Sequence, residues 1–161
     1  MKYLFLFLTA SVSITVTWYI SSLPLGGVSQ ADISDMYHTI VTPAPFVFSI
    51  WSMIYLSWVV VAIYMLVSRP NIHLKKILYL GNAQMLSALW LVPWHLDAIQ
   101  ISLMIMILIS IQLTYLVLSP EEDSVFRNTV YLFFSWISVA LVANTHVFLV
   151  AYAAYSNALI L

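Results

Sequence analysis

Apolar residues run along the chain in five long stretches, and short polar breaks separate them. The stretches cover about 3–23, 45–67, 76–94, 98–118 and 128–155, and each has the length of a membrane-spanning helix. The second has the clearest pattern. It opens at Thr42-Pro43-Ala44-Pro45, where Thr42 is a candidate cap and the prolines suit a first turn whose N–H groups need no partner. Phe48, Trp51, Tyr55 and Trp58 then recur at spacings of three, four and three, which places four rings on one helical face. Lipid is satisfied equally well by Leu or Val. Such a stripe therefore predicts either packing against sister helices or the wall of a pocket for a flat apolar ligand.

The first stretch begins Met1-Lys2 and continues LFLFLTASVSITVT, superficially like a secretory signal. Its apolar run is longer than a signal core and no small-x-small cleavage site follows, so it reads as a helix ending at Pro24, before Gly26-Gly27. Its Ser11, Ser13, Thr15 and Thr17 are small hydroxyl residues suited to close helix contacts. The break at 25–42 is the one long connection. Ser29-Gln30-Ala31-Asp32 has capping-box spacing and predicts a short helix through Tyr37, making this loop a lid rather than a tether. Asp97, in the turn His95-Leu96-Asp97, is placed to cap the fourth span. Ser119-Pro120-Glu121-Glu122-Asp123 predicts a short helical turn leading into the fifth, with acids in its first turn.

Polar residues inside the spans mark candidate contacts or sites, because a membrane-buried amide is costly without a partner. The third span carries Asn82, Gln84 and Ser87, followed by Trp90, Pro93 and Trp94 near its far end, where an interfacial belt would explain Trp94. The fourth is apolar on nearly every face and is expected to look mostly at lipid. The fifth places Trp136, Ala140, Ala143, Asn144 and Val147 on one face: a ring, two small residues and an amide along one seam.

Charge orients this arrangement. With five spans, Lys2, Arg69, Lys75, Lys76 and Arg127 all fall on one side and none on the other, so the positive-inside rule predicts a cytoplasmic N-terminus and an external C-terminus in a bacterial inner membrane. Composition agrees with that class: 63% of residues are hydrophobic and 7% charged, too few charges to coat a soluble domain of 161 residues. A net charge of −1 offers no surface for nucleic acid. Without cysteine there is no disulfide or thiolate chemistry. His38, His95 and His146 share one side but have no ligand spacing, so no metal site is expected. No catalytic triad, phosphate loop or intramembrane carboxylate pair is present. The expectation is an all-α integral membrane protein: one domain, a five-transmembrane-helix bundle, with an aromatic pocket and no required cofactor.

The second span, Pro43-x-Pro45-Phe-x-Phe-x-Ile-Trp51-x-x-Ile-Tyr55, and the fifth, Tyr131-x-x-x-Ser135-Trp136-Ile-Ser138-Val-Ala140-x-x-Ala143-Asn144, resemble the TspO/MBR family. Its members are called tryptophan-rich sensory proteins in bacteria and translocator proteins in mitochondria. The segment ISDMYHTIVTPAPFVFSIWSMIY and Trp90-Leu-Val-Pro-Trp94-His95 are most similar to the bacterial branch. The resemblance implies a membrane receptor or sensor that binds a porphyrin, protoporphyrin IX or haem, in a pocket closed by the first loop, and a homodimer. By the same resemblance the tryptophan of the second helix is Trp51, the tryptophan and asparagine of the fifth are Trp136 and Asn144, and the lid aromatic is Tyr37. The full candidate set is Tyr37, Phe48, Trp51, Tyr55, Asn82, Trp90, Trp136, Ala140 and Asn144. Two other readings stay open: a porphyrin-degrading enzyme with tryptophans as electron donors, and a non-catalytic subunit of a larger membrane complex. The chain departs from the family in two places. The basic residue of the animal sterol-recognition pattern is missing, and Ser87-Ala-Leu-Trp90 stands where many members have Asn-Trp-x-Trp.

Overall fold

The computed structural model of the chain describes residues 1–23, 27–38, 41–120 and 123–158, with backbone alone for 154–158. The expectations placed on Pro24, Gly26, Glu121 and Glu122 lie outside these residues. The described residues form helices and connecting turns: α1 (Lys2–Ser22), α2 (Gln30–Met36), α3 (Ile50–Ser68), α4 (Leu74–His95), α5 (Ile99–Leu118) and α6 (Ser124–Ala158), with a 3₁₀ turn at Pro45–Ser49 leading into α3.

The five long helices close into a ring in the order α3–α1–α4–α5–α6 and back to α3, while α2 lies against α4. Its surface is inverted relative to a soluble protein. Leu4, Leu8, Leu56, Ile63, Met104, Ile111 and Leu149 are all exposed, and a continuous apolar coat of this kind requires a non-aqueous solvent. Four helices are long and apolar enough to cross a membrane by length and composition: α1, the 45–68 segment, α5 and α6. The helix that falls short is α4. It carries Lys75, Lys76, Asn82, Gln84 and His95, and most of its polar groups turn inward.

Small residues set the α1–α4 seam. Thr9, Ser13 and Thr17 recur every fourth residue on the buried face of α1, whereas Ser11 and Thr15 face outward, contrary to their expected place at the interface. Opposite them, Gly81 has no side chain because none fits: a Cβ there would stand 2.6 Å from Phe5 Cε1 and 2.9 Å from Thr9 Oγ1. Thr9 Oγ1 also donates to Gln84 Oε1 at 3.0 Å, which partly answers the cost of burying that amide.

Several sequence expectations are corrected by the packing. The N-cap of the 3₁₀ turn that opens the second span is Ala44 rather than Thr42, and Pro45 holds the first position. α5 turns most of its surface outward, as expected, but Ile99, Ser102, Ile105, Met106, Ile109, Leu113 and Leu116 form a buried stripe on one side. His95 is the last residue of α4 rather than part of a loop, buried with Nδ1 paired to Leu91 O at 2.8 Å. The separate turn expected before residue 128 is absorbed into a single α6 starting at Ser124. Asp123 caps it by accepting from Phe126 N–H at 2.9 Å.

Candidate ligand site beneath the first loop

The stripe predicted on the second span points into the ring. Trp51 is its hub: Tyr55 stacks below it at 5.7 Å, and Trp90 (6.4 Å), Phe133 (6.4 Å) and Trp136 (6.1 Å) approach from α4 and α6. Trp58 continues the cluster inward, edge-on to Phe133 at 5.0 Å. Toward the other end, Trp90 stacks on Trp94 at 5.1 Å. Such pairs add about 0.5–1.5 kcal/mol each beyond area burial, which is sufficient to hold the rings in fixed mutual orientation.

Above Trp51 the rings leave a cavity of about 30 Å³, bordered by Phe48, Trp51, Trp90, Trp94, Trp136, Ala140, Ala143 and Asn144, with Ser34 of α2 and Pro43 over it. That is room for about one water molecule. The sequence pattern suggested an open slot; the rings instead pack on one another and nearly fill it.

The chemistry of the lining is unusual for a space so small. Asn144, 1% exposed, donates through Nδ2 to Ser102 Oγ at 2.8 Å, yet its Oδ1 has no partner. The indole N–H groups of Trp90 and Trp136 are buried and likewise unpartnered. Three wall residues therefore hold hydrogen-bonding capacity that the fold does not use, and each such group costs about 1–3 kcal/mol to bury.

The first loop covers this space. α2 begins with the predicted capping box: Ser29 N–H donates to Asp32 Oδ2 at 2.7 Å and Asp32 N–H to Ser29 Oγ at 3.2 Å. These bonds hold the Asp32 carboxyl below its ordinary value, the Ser29 N–H contributing most. Two long-range bonds fasten the loop. Trp94 Nε1 donates to Gln30 O at 3.2 Å, and Tyr37 OH donates to both oxygens of Asp97, at 2.8 and 2.9 Å. Asp97 adopts a left-handed backbone (φ 57°) and makes no cap for α5, whose N-cap is Ala98.

Of the nine sequence-derived candidates, Phe48, Trp51, Trp90, Trp136, Ala140 and Asn144 border the cavity. Tyr55 supports Trp51 from beneath. Tyr37 stands apart, serving as a fastener of the loop. Asn82 is also distant: it faces outward and donates to Gln112 Oε1 at 2.8 Å. Sequence reasoning offered an interfacial belt as one explanation of Trp94, left it out of the candidate set, and missed Ser102. The spacing of Ser102 three residues after Ile99, on the stripe that α5 buries, was the available signal for it.

A ring of apolar helices with an outward-facing apolar coat defines a helical integral membrane protein. The chain belongs to the TSPO-like protein family, whose model matches residues 3–159. No curated protein and no solved structure matches it.

Proposed function

We propose that this protein is a membrane receptor or sensor that takes a planar hydrophobic ligand, a porphyrin such as protoporphyrin IX or haem, into the space between Trp51, Trp90, Trp136 and Asn144. The observation that carries this reading is the set of unused polar atoms on an otherwise apolar wall. A porphyrin presents flat apolar faces for the tryptophans, pyrrole N–H groups for an acceptor such as Asn144 Oδ1, and carboxylates for indole N–H donors. A pocket for such a ligand spans roughly 300–1,000 Å³, so binding requires the first loop to lift and the rings to part. α4, 22 residues long and packed between α1 and α5, serves as the fifth span, with Gln84, Ser87 and His95 sheltered from lipid and Asn82 paired to Gln112 on the outer face. The five Lys and Arg residues then lie in the cytoplasm and the loop faces outward.

Titration of the purified protein with protoporphyrin IX, followed by quenching of its six tryptophans, tests the assignment. Saturable quenching is expected, weakened at least ten-fold in Trp136→Phe with Asn144→Leu. Absent quenching, or equal affinity in that variant, rejects the reading. Unchanged porphyrin absorbance after illumination of the complex separates binding from breakdown.

A further inference from the structure

A second recess at the lidded end, about 400 Å³, lies between the start of α5 and the far part of α6. It shares no lining residue with the tryptophan cavity. Tyr37, Asp97, Phe148 and Tyr152 supply its functional groups, and Ile101 and Ala151 its apolar wall. Phe148 and Tyr152 stack at 6.2 Å with their planes 27° apart. Asp97 is fixed by its turn and by Tyr37 OH. One hydroxyl proton leaves most of the carboxylate's lone pairs available. No Lys or Arg is present in the first loop or the α4–α5 turn, which together carry Asp32, Asp35 and Asp97, so no lysine or arginine of these segments neutralises the charge.

We propose that this recess binds an organic ammonium ion bearing an apolar tail, with the cationic head between Asp97 and the aromatic rings and the tail along Ile101 and Ala151. The ligand set selects this class. A hard metal ion needs six or more oxygen ligands, and one carboxylate does not supply them. Rings beside a single carboxylate favour a diffuse, weakly hydrated cation, the arrangement by which quaternary ammonium groups are recognised. Ile101 and Tyr152 are exposed at its rim, which leaves room for a tail along the apolar exterior. Two sources present this chemistry: the headgroup of a choline lipid, and a free amphiphilic amine.

The test is calorimetric titration of the full chain, in nanodiscs of phosphatidylglycerol, with hexyltrimethylammonium and with its uncharged tert-butyl analogue. Saturable binding of the cation is expected, with the analogue weaker by about five-fold or more. Asp97→Asn, which keeps an acceptor for Tyr37 OH, and the rim pair Phe148→Leu with Tyr152→Leu are each expected to weaken the cation by about five-fold. Cation affinity changed less than two-fold in the rim variant, or matched by the analogue, overturns the proposal; the rim variant decides the matter alone if Asp97→Asn fails to fold. Dihexanoylphosphatidylcholine as a competitor distinguishes the sources: displacement at lower concentration than hexyltrimethylammonium identifies a lipid headgroup, and displacement only at higher concentration identifies a free amine. Porphyrin quenching is independent of either result.

Discussion

The two ends of the bundle use their polar groups differently. At the basic end, hydrogen bonds tie neighbouring helices together. Lys2 Nζ donates to Ile72 O at 2.6 Å, Tyr3 OH to Pro70 O, and Lys76 Nζ to Pro120 O. Tyr64 OH reaches Asp123 Oδ2 at 2.8 Å, while the other oxygen of that carboxylate caps α6. Lys75 lies 4.4 Å from the centroid of Tyr115. At the lidded end, a seven-residue helix is held by a few contacts over a wall whose amide oxygen and two indole N–H groups have no partner. Polar groups at one end are committed to the fold, and at the other several are held in reserve. A receptor of the proposed kind, admitting a guest without losing its shape, would use this asymmetry, because the elements that move are drawn from the less stable part of a structure.

The sharpest way to break the comparison is to cut the committed end. Asp123→Ala removes a helix cap and a charged hydrogen bond together and is expected to cost about 2–4 kcal/mol, read as a loss of thermal stability with porphyrin affinity unchanged in the folded fraction. An affinity loss as large as the stability loss would mean that the two ends are not separate. Next in size is the seam between them. Gly81→Val drives a side chain into Phe5 and Thr9 and should destabilise by about 1–3 kcal/mol, measured by the same melt.

At the reserved end the signs reverse. Trp136→Phe alone removes an unpartnered N–H and should leave stability within about 1 kcal/mol of wild type, or raise it, while lowering porphyrin affinity several-fold. A clear loss of stability there would show that the indole N–H is already in use. Tyr37→Phe frees the loop from Asp97 at a cost of about 1 kcal/mol or less, and stopped-flow quenching should then show faster porphyrin association. The smallest effect is that of pH. The Asp32 carboxyl is held below its ordinary value, so its contribution to α2 is complete above that ordinary value and fades as pH falls through the lowered one. Hydrogen exchange in α2 should accelerate only in that acid range, and Asp32→Asn should abolish the change.

Much of this asymmetry was already visible in the sequence. The spacing of Phe48, Trp51, Tyr55 and Trp58 identified an inward face because rings at helical intervals have no purpose in lipid. Ser29 and Asp32 identified a capped helix because a capping box is local chemistry within four residues. The basic residues sorted to one end because loop parity requires it. Asn82 and Asn144 were both read as site amides, Asn144 alone on a family motif, and packing separated them: one pairs with Gln112 on the outer surface, the other with Ser102 in the core.

What the sequence alone determined, then, is the membrane class, the approximate helices, the capped first loop and the family motifs, all of which rest on local periodicity and hydropathy. The tertiary structure decided the ring order α3–α1–α4–α5–α6, the inward side of α5, the bond between Tyr37 and Asp97 and the near-closure of the tryptophan cavity. The reason is physical. In a soluble protein the contrast between apolar core and polar surface tells each helix which way to face, but lipid and core are both apolar, and that contrast is lost. Orientation then depends on ring shape, small residues and a few long-range hydrogen bonds, and these are specified only when the helices meet.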